Sequence, residues 1–399
     1  MADASSPEIS IDRFGNAIAV WQQSDGSRFN IWSSRYLAGV GWGAATLIEN
    51  NDAGYAGPPH IAADASGNAL AVWHQSDGIR LNIWAARYDV SSGWGTPELI
   101  ETTDPGARSP RVAMSANGDA LVVWEQWDGM SAFNIVANRY TAGVGWGAPS
   151  VINTEVGDAL NARLATGANG TTIVVWEQFA GVQPSIWARQ HHPTSGWGDP
   201  RYTPTADIGF GLLPQVAVDA NGNAIVVWQE SDGMRYNIWA GRYTDAAGWG
   251  DVQLIESDNA GDAVSPKVAM GGDGRAIAVW EQFDGVRSNV WGSRSDPVSG
   301  WDPAGLLEDD NVGGATRPEI AVDSYGTGFA VWQQFDGTNA RVRRSQYSPL
   351  SGWEAPSFVQ PAGTNGDSQR VVVNGNGDAA IVWNEYGVRY SVWGSVLER

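Results

Sequence analysis

The chain repeats one pattern of apolar and polar positions, and residues 215–266 show all of its parts. A short alternating run at 215–219 ends in a polar turn, and a segment at 223–230 follows with consecutive apolar residues at 225–228. An Asp-Gly turn then leads to an alternating run at 236–243, and a last run spans 249–256. Alternation predicts a half-buried strand, while a consecutive β-branched run predicts a strand covered on both faces. Because short polar turns join antiparallel strands, each repeat predicts one four-stranded antiparallel sheet.

The consecutive apolar runs each end in tryptophan, and these tryptophans recur every 51 or 52 residues. They are Trp21, Trp73, Trp124, Trp176, Trp228, Trp280, Trp332 and Trp383. Residues 15–36 and 67–88 are identical at 16 of 22 positions. A fixed period of about 50 residues indicates an array of units that bury their faces against one another. The sequence therefore predicts one repeat architecture over residues 1–399.

The predicted fold class is all-β, since no segment has a helical period. Stacking the sheets radially buries both apolar faces of each sheet, whereas the alternative, a β-solenoid, has shorter coils and parallel strands. The Gly-Trp pattern of the fourth strand occurs only seven times, ending at Trp353. We therefore predict an eight-bladed β-propeller of four-stranded antiparallel blades, with the last blade lacking its outer strand. The blades are expected near 7–58, 59–109, 110–162, 163–213, 214–265, 266–317, 318–368 and 369–399.

Composition narrows the range of partners and compartments. The net charge is −20, and Lys267 is the only lysine. Such a surface repels polyphosphates, so we expect no nucleic-acid partner. No apolar run approaches the roughly 20 residues of a bilayer span, and we expect no membrane insertion. The chain has no cysteine, which excludes disulfides and thiol chemistry. Residues 1–6 lack signal-peptide features, so either the protein is cytosolic or its export signal is not present in this chain. Because the absence of cysteine fits an exported bacterial protein, we predict a secreted or cell-surface location.

The tryptophan-rich repeat resembles bacterial β-propeller repeat proteins and is similar in style to the propeller lectins, whose blades carry tryptophan, glycine and polar turn residues. The resemblance implies a propeller that binds carbohydrate at several equivalent sites without catalysis. The expected partners are glycans or another cell-surface ligand, and several weak sites on one rigid ring would give avidity. We also expect that the incomplete last blade allows self-association, because an open sheet edge can accept another strand.

The candidate binding residues lie after the second-strand tryptophan and in the Asp-Gly turn. Sugar recognition needs fixed hydrogen-bonding groups beside an aromatic surface, and these residues recur together on one predicted face. The predicted ligand-binding residues are Gln23, Asp25, Arg28, Gln75, Asp77, Arg80, Gln229, Glu230, Asp232, Arg235, Gln282, Asp284 and Arg287. A structural role competes with this interpretation, because Asp-Gly is a good turn and Arg can pair with Asp along the rim.

Two other functions stay open at this stage. The first alternative is a protein-interaction scaffold or adhesin module without a sugar site, and the second, more distant one is a sialidase-like glycosidase. Glycosidases use one unique pair of carboxylates, and repeated acids such as Glu125, Glu177 and Glu281 single out no pair. We therefore expect no catalysis. We also expect no cofactor and no metal, because each first-turn loop supplies about one carboxylate and calcium needs several.

Overall fold

The computed structural model describes residues 3–50, 53–102, 106–181, 183–202, 210–244, 247–257, 260–309, 312–387 and 389–397. Within these ranges the regular elements are all β-strands, and they form eight separate sheets. We number the sheets as blades one to eight in chain order. The described residues form no helix that is long and apolar enough to cross a membrane.

The first four blades contain the following strands. Blade one consists of β1 (Ala4–Ile11), β2 (Ala17–Ser24), β3 (Phe29–Leu37), β4 (Gly41–Trp42) and β5 (Thr46–Leu47). Blade two consists of β6 (His60–Ala63), β7 (Ala69–Ser76), β8 (Leu81–Asp89), β9 (Gly93–Trp94) and β10 (Glu98–Leu99). Blade three consists of β11 (Ala107–Met114), β12 (Ala120–Trp127), β13 (Phe133–Thr141), β14 (Gly145–Trp146) and β15 (Ser150–Val151). Blade four consists of β16 (Ala159–Thr166), β17 (Thr172–Gln178), β18 (Ser185–His192), β19 (Gly196–Trp197) and β20 (Arg201–Tyr202).

The last four blades continue the series. Blade five consists of β21 (Gly211–Val218), β22 (Ala224–Ser231), β23 (Tyr236–Thr244), β24 (Gly248–Trp249) and β25 (Gln253–Leu254). Blade six consists of β26 (Ala263–Met270), β27 (Ala276–Phe283), β28 (Ser288–Asp296), β29 (Gly300–Trp301) and β30 (Gly305–Leu306). Blade seven consists of β31 (Ala315–Val322), β32 (Gly328–Phe335), β33 (Ala340–Ser348), β34 (Gly352–Trp353) and β35 (Ser357–Phe358). Blade eight consists of β36 (Asn365–Val373), β37 (Ala379–Tyr386) and β38 (Tyr390–Leu397).

The predicted propeller is confirmed, with eight antiparallel blades and three strands in the last. The outer strand differs from the prediction because it is interrupted. In blade five, Trp249 pairs with Tyr243 and Gln253 pairs with Ala240, and residues 250–252 lie outside the two short strands. We call the whole stretch from the Gly-Trp pair through the second short strand and the two residues after it the outer segment of a blade.

The ring closes through packing and polar contacts between the first and last blades. β1 packs against β6 on one side and against β36 on the other, so the eight inner strands surround one central channel. The Asn374 side chain of blade eight donates a hydrogen bond to the Asp12 carbonyl oxygen of blade one, at 3.1 Å. Trp21 and Val382 belong to one apolar cluster at this junction.

The second strand of each blade forms the interior, as its consecutive apolar run predicts. Val226, Val227 and Trp228 in β22 are fully buried, and the equivalent tryptophans of blades two to seven are buried to the same degree. Each of these tryptophans lies between its own blade and the preceding one, as Trp73 does when it packs with Ile31 and Ile48 of blade one. Burial on both faces explains why this strand has no alternating polar positions.

The inner strands begin earlier than the predicted starts at prolines such as Pro7 and Pro110. β1 pairs from Ala4, passes through a register shift, and resumes pairing at Glu8. Ser6, in this bulge, has a φ of 53°, and the equivalent residues of six other blades share this left-handed conformation. The backbone amides of these residues hydrogen-bond to the preceding blade, since the Leu213 amide donates to the Glu177 carboxylate at 2.7 Å and the Ser265 amide to the Gln229 side chain at 2.9 Å. The bulge therefore links neighbouring blades.

Candidate functional site

The central channel carries one long polar side chain from each blade at a single level. Each side chain belongs to the first residue that pairs after the bulge, or to the first residue of β6 in blade two, and its partner is always the valine before the second-strand tryptophan. In blade order the residues are Glu8, His60, Arg111, Arg163, Gln215, Lys267, Glu319 and Arg370, and we call this set the channel ring. Their equal register makes the ring a continuous belt of charge and hydrogen-bonding groups around the axis.

One side of the channel ring is neutralised by ion pairs. Arg370 lies 2.9 Å from a Glu8 carboxylate oxygen and 3.1 Å from a Glu319 oxygen. Lys267 lies 2.9 Å from Glu319. The Glu8 carboxylate is the main cause of the raised pKa of Arg370. Burial would raise the pKa of Glu8, but Arg370 and the other positive groups nearby lower it, so Glu8 is ionised. Two cations and two carboxylates cancel on this side.

The other side of the ring keeps an excess of positive charge. Arg111 and Arg163 donate hydrogen bonds to the carbonyl oxygens of Pro110 and Ala162, at 3.1 and 2.9 Å. Within the described residues, neither guanidinium has a carboxylate at ion-pair distance. Burial, followed by the charge of Arg111, lowers the pKa of Arg163 to about 10, so both groups are still charged at neutral pH. Two adjacent guanidinium groups without a carboxylate partner form a site for an anion.

His60 extends this positive side with a neutral hydrogen-bond donor. Burial lowers its pKa to about 3, against an opposing effect of Glu8. The Val112 amide donates to Nδ1 of His60 at 3.3 Å, so the neutral ring carries its proton on Nε2. His60, Arg111 and Arg163 come from consecutive blades, and we call them the donor arc.

Polar side chains also surround the end of the channel near blades two and three. Arg108 lies 2.8 Å from Glu125 and stacks over the Phe133 ring at 4.0 Å. His74 packs edge-on against Tyr55, with 6.5 Å between ring centroids, and burial lowers its pKa to about 4. The Nδ1 atom of His74 is buried without a hydrogen-bond partner. These groups extend the hydrogen-bonding surface from the donor arc toward the face that carries the Asp-Gly turns.

The predicted binding residues that follow the second-strand tryptophan have structural contacts. In blades one to seven, the indole Nε1 group of the second-strand tryptophan donates to the side chain of the second residue after it. The acceptors among the predicted residues are Gln23 at 3.0 Å, Gln75 at 2.9 Å, Glu230 at 2.8 Å and Gln282 at 2.8 Å. Gln75, Glu230, Gln282 and Gln229 are buried, and only Gln23 is half-buried. Their proposed contact with a ligand stays a prediction, and the hydrogen bonds explain their residue type without one.

The predicted Asp and Arg residues meet within their own turns. Asp25 accepts hydrogen bonds from the Ser27 and Arg28 amides, and Asp77, Asp232 and Asp284 make the same contacts in their blades. The arginine Nε atoms lie near these carboxylates, at 3.6 Å for Arg28 and Arg80 and 3.7 Å for Arg235, while Arg287 donates to Asn289 at 3.3 Å. Backbone hydrogen bonds lower the pKa of Asp77 and Asp284 to about 2. The arrangement explains each turn, and a ligand role for these residues stays a prediction.

The channel ring was not predicted, because the predicted binding residues were chosen from positions that recur in several blades. The residue after the inner-strand proline, as in Pro7-Glu8, Pro110-Arg111 and Pro266-Lys267, changes from blade to blade while its surroundings recur. Charged residues at an inner-strand position of a propeller point to the axis, so the sequence could have predicted a charged channel from these residues. Among the described residues, no three His, Asp or Glu side chains converge to hold a metal ion.

Comparison with known proteins gives similarity in fold only. No protein family and no curated protein matches the sequence. The solved structure of an ulvan lyase, a polysaccharide lyase bound to -[GlcA(1-4)Rha3S]-, is similar with a TM-score of 0.56 and 8% identity, over 84% of this chain and 90% of that chain. An α-L-arabinanase from Penicillium chrysogenum has a TM-score of 0.47 and 14% identity, over 74% of this chain and 93% of that chain. A Dyadobacter fermentans protein of unknown function has a TM-score of 0.47 and 13% identity, over 73% of this chain and 94% of that chain.

These comparisons correct two predictions. We expected a non-catalytic, lectin-like protein, but a solved structure with a similar fold over most of both chains is a polysaccharide lyase. The expectation that the protein is not an enzyme was therefore wrong, and so was the lectin function. The error came from reading the repeat as a set of equivalent sites. The channel ring has five residue types over its eight blades, so it is asymmetric, unlike the repeated acids.

Proposed function

We propose that this protein is a carbohydrate-active enzyme that acts on an acidic polysaccharide at the donor arc. The observation that carries the proposal is the pair of guanidinium groups of Arg111 and Arg163, which have no carboxylate at ion-pair distance among the described residues. The chain as a whole has a net charge of −20. A local positive field in a channel of low dielectric constant attracts an anionic chain away from the negative outer surface.

The ligand chemistry follows from the geometry of the donors. A guanidinium group binds a carboxylate or a sulfate through paired hydrogen bonds. His60 adds an N–H donor without adding charge, which suits a hydroxyl or an anionic oxygen. The saccharide bound to the similar lyase, -[GlcA(1-4)Rha3S]-, contains a uronic acid and a sulfate, which supports the same class of substrate for this chain. Uronate and sulfate groups share this recognition chemistry, and the assay below separates them.

The reaction that we favour is elimination. When two cations hold a uronate carboxylate, they stabilise the negative charge that develops there as the adjacent carbon loses its proton. Glu8 is the ionised carboxylate next to His60 in the ring, and we assign it the role of proton acceptor. The proton passes to Glu8, a carbon–carbon double bond forms in the sugar, and the glycosidic carbon–oxygen bond breaks. The departing oxygen takes a proton from water.

The test uses a panel of polysaccharides that contain uronate, sulfate, both groups or neither. Elimination gives an unsaturated product that absorbs ultraviolet light, whereas hydrolysis gives new reducing ends without that absorbance. We expect ultraviolet absorbance to grow with uronate-containing chains only. Cleavage of neutral chains, or cleavage without an unsaturated product, would contradict the proposed substrate class and the proposed reaction respectively.

Two variants test the residue roles. Arg163→Gln should weaken binding of the acidic chain, and Arg275→Gln is the control because Arg275 pairs with Asp273 and Asp296, which lie outside the channel ring. Glu8→Gln should lower turnover by about a hundredfold or more while binding persists, as expected for loss of a general base. Equal binding by the two arginine variants would exclude the donor arc as the binding site.

A further inference from the structure

The outer segment of a blade also fills the gap between that blade and the next. In blade one, the Ile48 amide donates to the Ile31 carbonyl oxygen at 2.9 Å, which places Ile48 against the edge of β3. Ile48 is buried and belongs to the cluster that contains Trp73 and Ala86 of blade two. Ile100, Ile152, Ile255 and Leu307 are buried in the same way in blades two, three, five and six. One aliphatic side chain of the outer segment is therefore inserted at each of these junctions.

Blade eight has an edge to which such a segment could pair. Within the described residues, the outer edge of β38 pairs with no strand. Trp393 on this strand is 52% exposed, whereas the equivalent Trp239, whose partner is Leu254, is half-buried. Unpaired backbone groups beside an exposed aromatic ring form a surface for strand addition.

A groove runs beside this edge, between blade eight and blade one. Its volume is about 420 Å³, and Trp21, Trp42, Val382, Val392 and Trp393 are among its lining residues. The apolar cluster of this junction includes Trp42 from the outer segment of blade one, but among the described residues it has no outer-segment side chain from blade eight. The groove thus lies where the aliphatic side chain is inserted at the other junctions.

A polar contact defines the end of the groove. In blade one, the outer segment ends in Glu49, whose carboxylate accepts a hydrogen bond from Gln75 of blade two at 2.8 Å. Gln75 in turn accepts from the Trp73 indole at 2.9 Å. Gln23 is the equivalent residue at the junction of blades eight and one, and it accepts from the Trp21 indole at 3.0 Å. A carboxylate at the end of an incoming segment would meet the Gln23 amide in the same way.

We propose that this groove binds an extended segment of a partner chain that has the outer-segment pattern. That pattern is a tryptophan near the start and, near the end, two consecutive aliphatic residues followed by a carboxylate. The segment pairs with β38, its second aliphatic residue enters the groove beside Trp21 and Trp42, and its carboxylate reaches Gln23. Pairing of β38 with β38 of a second copy would cover Trp393 but would insert no side chain between the blades, so the partner segment is the better fit. The proposal is independent of the chemistry at the donor arc.

The test uses a synthetic peptide with the sequence of residues 41–49, Gly-Trp-Gly-Ala-Ala-Thr-Leu-Ile-Glu, and a fluorophore at its amino end. We expect saturable binding by fluorescence anisotropy and a rise in the thermal midpoint of the protein as peptide is added. A peptide with Ile48→Asp should bind at least about tenfold more weakly, because a charged side chain replaces a buried aliphatic one. The Trp393→Ala protein should also bind more weakly, with Leu350→Ala, at a fully exposed loop residue, as the control.

Three results would overturn the proposal. The first is no saturable binding of the 41–49 peptide, and the second is equal binding of the Ile48→Asp peptide. The third is a concentration-dependent dimer, seen by analytical ultracentrifugation, that Trp393→Ala abolishes and that excludes the peptide, since this would assign the edge to a second copy of the chain.

Discussion

The Arg370 guanidinium lies 2.9 Å from the Glu8 carboxylate, although the two residues are 362 positions apart in the chain. This ion pair joins the last inner strand to the first one, and it holds closed a ring whose final blade has no outer segment within the described residues. Glu319 shares the same guanidinium at 3.1 Å. The contact therefore serves both ring closure and the charge balance of the channel.

Replacing Arg370 with Gln should destabilise the fold at neutral pH. Glu8 and Glu319 would lose their shared cation, and both are largely shielded from water. We expect the free energy of unfolding to fall by about 1–2 kcal/mol, less than for a fully buried pair because Arg370 is partly exposed. Urea denaturation measures the change, with Arg275→Gln as the exposed control. An equal loss in both variants would show that closure does not depend on the ion pair.

His74 should make the fold sensitive to mild acid. Its folded-state pKa of about 4 lies below the unfolded value of about 6.5. As the pH falls from 6.5 to 4, the unfolded chain takes up a proton that the folded chain does not. The free energy of unfolding therefore falls over this pH range, and the full contribution of neutral His74 is present above it. His74→Gln should remove up to about 3 kcal/mol of this pH dependence. Urea titrations at several pH values compare it with His192→Gln, and equal slopes would refute the prediction.

Gly57 should be needed for the position of His74. A Cβ atom at residue 57 would lie 1.9 Å from Nε2 of His74, too close for any packing without movement. We expect Gly57→Ala to cost about 1–3 kcal/mol, as overpacked substitutions do. Thermal unfolding of Gly57→Ala, His74→Ala and the double variant forms a cycle, in which His74→Ala should relieve most of the cost. If the losses of stability in the two single variants add up in the double variant, the strain does not come from contact between residue 57 and His74.

Among the predicted binding residues, replacing Gln75 should destabilise the fold, whereas replacing Arg80 should not. Gln75→Leu leaves the buried Trp73 indole without its acceptor and Glu49 without its donor, which should cost about 2–4 kcal/mol. Arg80→Ala removes a side chain on a solvent-exposed turn and should leave the urea midpoint unchanged. Chemical denaturation of the two variants tests this contrast. A large loss for Arg80→Ala would mean that the turn pairing supports the blade.

The repeat determines the fold because the tryptophan spacing, the apolar runs and the turns all predict the same architecture. The spacing of Trp21, Trp73 and their equivalents defines the blades, and the missing eighth Gly-Trp pattern predicts the three-stranded last blade. The interruption of the outer strand was not predictable, since Trp249 and Leu254 lie in a continuous run that fits one strand equally well. The bulge at Ser6 was also missed, because serine has no special preference for a positive φ.

The candidate site could not be predicted as well as the fold. Residues that build the fold recur from blade to blade, whereas the residues of the channel ring vary. Gln75 and Glu230 repeat because each accepts an indole N–H, which is a structural need. Arg111 and Arg163 do not repeat around the whole ring, and their closeness depends on the radial arrangement of blades. They are 52 residues apart in the sequence, and only their equivalent positions in the inner strands of two blades indicate that they share one channel.

The uneven charge of the channel ring has a consequence for how a polymer enters. Among the described residues, Arg111 and Arg163 of blades three and four have no carboxylate at ion-pair distance, while Glu8 and Glu319 are paired with Arg370 and Lys267. A chain with acidic groups along one edge would therefore be held in one rotational setting about the axis.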